Sequence, residues 1–392
     1  MTDLSKGDLP VDVEVVVVGA GLMGSSAAWH LTSRGHEVLV LEQFEPATPR
    51  GSSHGSARIT RRAYPEDDYV RLTGEAFEWW REVEHQSGTA LLRMTGGLDH
   101  GSWREPQVIA ASLKRAGVEH ELLQPEEAQQ RFPGMVFQLP VLYHSEAGTV
   151  DAESAVLAFI RSATDGGARV ETGIRVRSLT MAGRGAVVHT DCGDVRARVV
   201  VVAAGGWVEE LTSGLVTMPP VFVTEHRVFH FPQDESVTWP VTLHRDVMDI
   251  YHLPGGRDGG PGDARKIAEH QGFLTTADSR KGVVDDESRQ RIVDYVQRWL
   301  PGLVPEPFAE TTCLYTSTPT EDFLIDRVGP VVVASACSGH GAKLAPTVGR
   351  LVADLVDGKP QDVDRFRLSR HLNEYRPGDR PSTIRMPASA NE

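Results

Sequence analysis

Apolar positions in this chain fall into runs of two kinds, and their order predicts the fold. Near the start, Glu14-Val-Val-Val-Val is an unbroken β-branched run that ends in Gly19-Ala-Gly21-Leu-Met-Gly24. Small and apolar residues at helical spacing follow through Leu31. Continuous apolar runs bounded by turn residues read as buried strands, and the change to helical spacing reads as a helix. A second apolar run, Glu37 to Leu41, ends in Glu42. Strand, tight turn, helix and strand in that order predict a βαβ unit.

The theme returns twice. Val195-Arg-Ala-Arg-Val-Val-Val-Val-Ala-Ala-Gly205-Gly206-Trp207 is an apolar run whose small residues leave room for a ligand at the strand end. Pro330-Val-Val-Val-Ala-Ser335 leads through Gly339-His340-Gly341 into a helix predicted over 342–356. Helices are also predicted over 75–84, with Phe77, Trp80 and Val83 on one face, over 106–115 and over 151–165. Two strands are expected within 168–188, one of them 170–176. From Val221 to Leu300, alternating segments such as Arg227-Val-Phe-His-Phe and a strand from Arg265 to His270 predict an antiparallel sheet, closed by a helix over 287–300. The run 254–262 reads as a long Gly-rich turn.

The expected architecture is α/β. A discontinuous Rossmann-like nucleotide domain comprises 1–86, 147–220 and 310–376. A second domain, 87–146 and 221–309, holds an antiparallel or mixed sheet covered by helices, and 377–392 forms a loose tail.

The glycines have separate tasks. Gly19 permits the turn, Gly21 lets the backbone approach a pyrophosphate, and Gly24 lets the helix sit close on the strand. The phosphates would face the unpaired N–H groups of the helix N-terminus. Glu42 is placed to accept both ribose hydroxyls of an adenosine and would repel a 2′-phosphate. This unit leaves FAD and NAD both open.

Composition narrows the partners. The chain has 392 residues, 40% hydrophobic and 24% charged, with a formal net charge of −14. That acidity argues against nucleic acid or an anionic membrane and favours a small substrate. No apolar run reaches the about 18 residues of a membrane span, and Met1 to Val13 lacks the features of a signal peptide, so a cytoplasmic location is expected. Cys192, Cys313 and Cys337 are too few and scattered for a disulfide framework or a zinc site, and no metal is expected.

Four stretches could carry chemistry. Gly51-Ser52-Ser-His54-Gly-Ser-Ala-Arg58-Ile-Thr-Arg61-Arg62 is a loop leaving the strand that ends in Glu42, where cofactor contacts are made, although its arginines could equally be solvated. Ser338-Gly339-His340-Gly341-Ala-Lys343 puts glycine-rich backbone before a helix, an anion-binding arrangement to which Lys343 adds charge. Lys266 and His270 lie four apart on a presumed strand and share a face, which pattern alone would leave exposed. A lone Cys313 on composition alone is an inert buried hydrophobe.

Taken together, Gly19 to Gly24, Gly51 to Arg61, Val199 to Trp207, Lys266-Ile-Ala-Glu-His270, Cys313-Leu-Tyr-Thr-Ser-Thr-Pro and Ser338-Gly-His-Gly-Ala-Lys343 resemble the monomeric sarcosine oxidase and N-methyltryptophan oxidase family of D-amino-acid-oxidase-like flavoproteins. They occur in the family's order over nearly the whole chain.

The resemblance implies an FAD-binding domain of glutathione-reductase type. It implies a monomeric enzyme that oxidises a secondary amino acid to an imine and reduces O2 to hydrogen peroxide. Cys313 matches the cysteine bonded to the flavin, and Arg58 an arginine stacked near it. Arg61 and Lys343 match a clamp for the substrate carboxylate, and Lys266 the lysine that activates oxygen. His270 and Tyr251 match pocket residues, and Val176 a backbone contact to adenine. Ser52, His54, Gly205, Trp207, Gly339 and Gly341 complete the expected cofactor contacts. Three other outcomes stay open: a flavin dehydrogenase with another acceptor, an NAD-dependent dehydrogenase, and a dinucleotide-holding protein without turnover.

Overall fold

The computed structural model describes residues 9–234, 238–259 and 264–385. Strand Asp12–Val18 runs parallel to Val38–Glu42 on one side and to Gly193–Val202 on the other. Arg169–Thr172 and Val331–Ser335 extend the parallel core. Antiparallel neighbours at 176–182, 185–190 and 324–328 bring this sheet to eight strands among the described residues. Val15, Val16 and Val17 are fully buried, which explains why the run is continuous rather than alternating.

The glycines of the first turn are required by close approach. Gly19 has φ +98°, and a Cβ there would lie 2.7 Å from the Ala203 carbonyl oxygen. At Gly24 a Cβ would lie 1.9 Å from the Gly19 oxygen. Helix Leu22–Ser33 packs between helices Ala152–Asp165 and Ala345–Val356.

A second sheet of nine strands is mixed. Phe222–Pro232 pairs with Ala264–Glu269 on one edge and with Ala309–Ser317 on the other, all antiparallel. Val241–Arg245 pairs in parallel with Gly97–His100. Helix Asp286–Trp299 covers it, with Ile292, Val296 and Trp299 packed onto Phe229, Ile250 and Ile267. A three-stranded sheet, Arg58–Arg61, Ala147–Val150 and Leu92–Met94, carries two of the candidate arginines.

Several elements differ from expectation. The helix predicted over 75–84 runs from Asp67 to Ser87. The strand predicted over 170–176 is interrupted after Thr172, where Gly173 adopts φ +72°. The helix predicted from Ala342 starts at Ala345, preceded by a single 3-10 turn Ala342–Leu344. Pro346 lacks the N–H needed to continue a helix backwards and suits its first turn. Part of the expected loose tail is docked: the Gly272 N–H donates to Thr383 O, Arg385 N–H donates to Gly272 O, and Thr383 is fully buried. Residues 386–392 of that tail and 260–263 of the Gly-rich turn lie outside the described residues. No described helix is long and apolar enough to cross a membrane.

Candidate active site

A cavity of about 410 Å³ runs from the glycine turn to the nine-stranded sheet. It is lined by Gly19, Gly21, Glu42, Ser52, His54, Arg58, Arg61, Val176, Gly205, Trp207, Tyr251, Lys266, His270, Cys313, Gly339, Gly341 and Lys343. Of the residues singled out from sequence, Gly24 stands behind it, where it closes the helix onto the turn. Residues more than 300 positions apart in the chain therefore meet around one space.

At its nucleotide end, Glu42 accepts from the Ala20 N–H at 2.8 Å and the Phe44 N–H at 2.9 Å. Burial raises its pKa, opposing those amides. At Gly21 a Cβ would lie 3.0 Å from Ser53 Oγ, which accepts from the Leu22 N–H at the helix terminus at 3.0 Å. Trp207 donates to Asp278 at 2.9 Å.

Around the Ala57 carbonyl a first group of cations gathers. Arg58 Nη1 donates to Ala57 O at 2.9 Å, and Lys266 Nζ donates to the same oxygen at 3.2 Å. Arg58 Nη2 is 3.7 Å from Cys313 Sγ. Burial alone would raise the Cys313 pKa, but Arg58, His54 and Lys266 outweigh it and bring the thiol down to about 6. Lys266 is 4% exposed, contrary to the exposed face that pattern alone favours. Its strand is buried on both faces, Ile267 joining the core beneath helix Asp286–Trp299 while Lys266 and, just past the strand end, His270 line the cavity. Desolvation, aided by Arg58, pushes the Lys266 ammonium down to about 8.

A second group surrounds Tyr64. The Arg61 guanidinium lies 4.3 Å from that ring and Lys343 Nζ 5.7 Å from it. Among the described residues Arg61 Nη1 is buried without a hydrogen-bond partner, and Lys343 donates only to a carbonyl, His340 O, at 2.6 Å. Burial, then the neighbouring Arg61 and Arg104, drives the Lys343 pKa well below its ordinary value. Two desolvated cations side by side favour an anion between them, which would restore their charge.

The last turn is shaped by glycine. Gly339 has φ +71°, and its Cβ would lie 2.5 Å from the Tyr315 ring and 2.8 Å from His270. A Cβ on Gly341 would lie 1.7 Å from Ala336 O. Tyr315 donates to the Tyr251 hydroxyl at 3.2 Å and stacks on His226, ring centroids 3.6 Å apart.

Sequence reasoning missed Tyr315, which stands two residues from Cys313 on one strand and so shares its face. It also missed Tyr64, Arg104 and Asp258, which carry no local signal. Arg104 is paired with Asp99 at 2.6 Å.

A Rossmann-type turn without bulk, a half-buried acid at the end of the second strand and a continuous cavity ending in cations define a dinucleotide-dependent oxidoreductase. The cavity's glycine cradle and its thiol, held toward thiolate, suit a flavin dinucleotide. The chain belongs to the FAD dependent oxidoreductase family, whose model matches residues 14–355. It is 34% identical to the human peroxisomal sarcosine oxidase over 379 residues, covering 91% of this chain and 96% of that protein. Identity to the monomeric sarcosine oxidase of Streptomyces avermitilis is 33%, covering 87% and 93%. Among solved structures, NikD, described as an unusual amino acid oxidase essential for nikkomycin biosynthesis, superposes with a TM-score of 0.81 at 26% identity, covering 92% and 98%.

Proposed function

We propose that the protein oxidises a secondary amino acid, N-methylated or cyclic, to an imine that water hydrolyses, with O2 reduced to hydrogen peroxide. The observation that carries this reading is the pair of buried cations facing one cavity, Arg61 with an Nη1 unpartnered and Lys343 bonded only to a carbonyl among the described residues. A substrate carboxylate supplies the missing anion. Names of the sarcosine oxidases and of NikD support an amino acid as the substrate class.

When bound, FAD would supply the two-electron acceptor for the amine. Arg61 and Lys343 hold the carboxylate, and this positioning brings the C–H bond to be broken to a fixed place, a major source of rate. Tyr251, Tyr315 and His270 line the space beside it. The His270 pKa is lowered, first by burial, so its imidazole stays neutral and does not repel the clamp's cations. Lys266 offers a positive charge to oxygen as negative charge develops on it. Ala342 also lines the cavity, and its small side chain leaves room for a substrate larger than sarcosine.

Hydrogen peroxide release across a panel of N-methyl, cyclic and primary amino acids tests this reading. At least one secondary amine should yield one peroxide per amine consumed; oxidation only with an artificial acceptor would reassign the protein to the dehydrogenases.

A covalent bond between Cys313 and the flavin is part of the proposal, because a thiol held down to about 6 is largely thiolate, the nucleophilic form, at neutral pH. After acid precipitation the yellow colour should stay with the pellet. In Cys313→Ala it should pass into the supernatant, and a yellow supernatant from the unmutated protein would rule out the bond.

A further inference from the structure

The Gly-rich turn after the Tyr251 strand brings a carboxylate onto the ammonium assigned above to oxygen. Asp258 lies in the 3-10 turn Arg257–Gly259, and its Oδ2 is 3.2 Å from Lys266 Nζ. Its Oδ1 accepts from the Ser56 N–H at 2.9 Å and from the Ser56 hydroxyl, while the Asp258 N–H donates to Ser56 Oγ at 3.0 Å. The clasp joins two loops 202 residues apart.

Glycines at both ends make it possible. Gly55 has φ +81°, and a Cβ there would lie 2.9 Å from Asp258 Oδ2. Gly256 has φ +68°, and its Cβ would lie 2.4 Å from Ser56 Oγ. Arg257, next in the turn, is bonded to Asp151 at the start of helix Ala152–Asp165. The carboxylate is thus held by two hydrogen bonds from Ser56, and its turn by Arg257, before it meets the lysine.

We propose that Asp258 is a positioning residue for Lys266: held by Ser56, it fixes the ammonium beside the flavin cavity and keeps it charged, and so sets the pH range over which the enzyme reacts with oxygen. This rests on the oxygen-activating reading of Lys266.

The groups facing Lys266 from each neighbouring element are few. Arg58 comes from strand Arg58–Arg61, Cys313 from Ala309–Ser317, His230 from Phe222–Pro232 directly across the ladder, and Asp258 from the turn. Burial and Arg58 push the ammonium toward neutrality; Asp258 opposes them most, and Cys313 less. His230 is 3.9 Å from Asp258, and its ring is buried beside the Ala309 backbone. Burial and Lys266 hold its pKa near about 4, so it is neutral near pH 8 and contributes no charge there. Asp258 is therefore the carboxylate on which the charge of Lys266 depends.

Asp258→Asn keeps the shape and an acceptor for the Ser56 N–H while removing the charge. Loss of a neighbouring carboxylate lowers an ammonium's pKa, so the charged form persists only to a lower pH. In substrate-reduced holoenzyme, the oxygen rate constant of the unmutated protein should fall as pH rises through about 8. In the Asn variant that fall should come about one pH unit earlier or more, the size of shift a single carboxylate at this distance produces. Asp258→Glu should move it back toward the original value, and anaerobic reduction by substrate should stay within about threefold throughout, since Lys266 acts in the oxygen step.

A readout without turnover is hydrogen exchange in the oxidised protein without substrate: Asp258→Ala should speed exchange at residues 53–58. An unmoved pH break in the Asn variant, equal slowing of both half-reactions, or unchanged exchange at 53–58 would overturn the proposal. Lys266→Met separates its failure from that of the premise. If that variant reacts normally with oxygen, the premise falls; if it is slow while Asp258→Asn keeps the original pH break, only the role of Asp258 falls.

Discussion

Replacing Lys266 by Met is expected to slow the reaction with oxygen by about 10² to 10³-fold, the range for removing one preorganised charge from a developing anion. Anaerobic flavin reduction by substrate should change by less than about tenfold. The split follows from position: Lys266 joins Arg58 at the Ala57 carbonyl, whereas Arg61 and Lys343, the proposed carboxylate clamp, gather around Tyr64. Met keeps the stem's bulk in a site that is 4% exposed, so the loss is one of charge rather than packing. The sign of the pH effect is fixed too. With the ammonium charged below about 8 and neutral above it, the proposed oxygen reaction of the unmutated protein should decline on the alkaline side. Stopped-flow measurement of each half-reaction decides the matter, and equal slowing of the two would remove Lys266 from the oxygen step.

The second large effect belongs to Arg61. Arg61→Met should lower kcat/KM by about 10²-fold, corresponding to about 1.5–3 kcal/mol for a charge-assisted hydrogen bond in a site closed to water. Most of the loss should appear in KM, since the clamp grips the carboxylate before and during the reaction alike. Arg61→Lys should recover part of it, because a compact ammonium restores charge without the planar two-point contact. A change of less than about threefold in Arg61→Met would mean that the carboxylate binds elsewhere. Lys343 alone is a poor substitute, since burial and its cationic neighbours press it toward the neutral form until an anion arrives.

Much of this cavity is legible along the chain because it is built at strand ends. The run before Gly19, the run before Gly205 and the run before Ala336 all deliver small residues to one edge of one sheet, and each is a local pattern of apolar run then glycine. Lys343 stands out from the last of these turns, whereas Arg58, Arg61 and Cys313 gain their roles only from the family resemblance.

What local pattern cannot convey is which face of a fully buried strand looks where. Alternation disappears in strand Ala264–Glu269, so periodicity does not distinguish Lys266 in the cavity from Arg265 behind it, and only the family resemblance singles out the lysine. Arg265 is fully buried and donates to the Trp239 and Pro240 carbonyls and to His252. The Asp258 clasp was invisible for a different reason: its partners are 202 residues away, and its own neighbourhood reads only as a flexible turn. The docking of Thr383 against Gly272 was hidden in the same way, a polar and proline-bearing segment that gains its order from a strand edge far off in the sequence. At the last turn, a helix pattern continuous from Ala342 conceals the proline that delays the helix to Ala345 and leaves Lys343 in the 3-10 turn facing Tyr64.

The central claim is that one cavity holds a flavin against a clamp for amino-acid carboxylates. Its most direct test is the visible spectrum of the purified protein under anaerobic addition of N-methyl and cyclic amino acids. The oxidised flavin band should be present at the outset, bleach with a saturable rate for at least one of these amines, and return on admitting air. A colourless protein, or a flavin band that no secondary amino acid bleaches, would contradict the account.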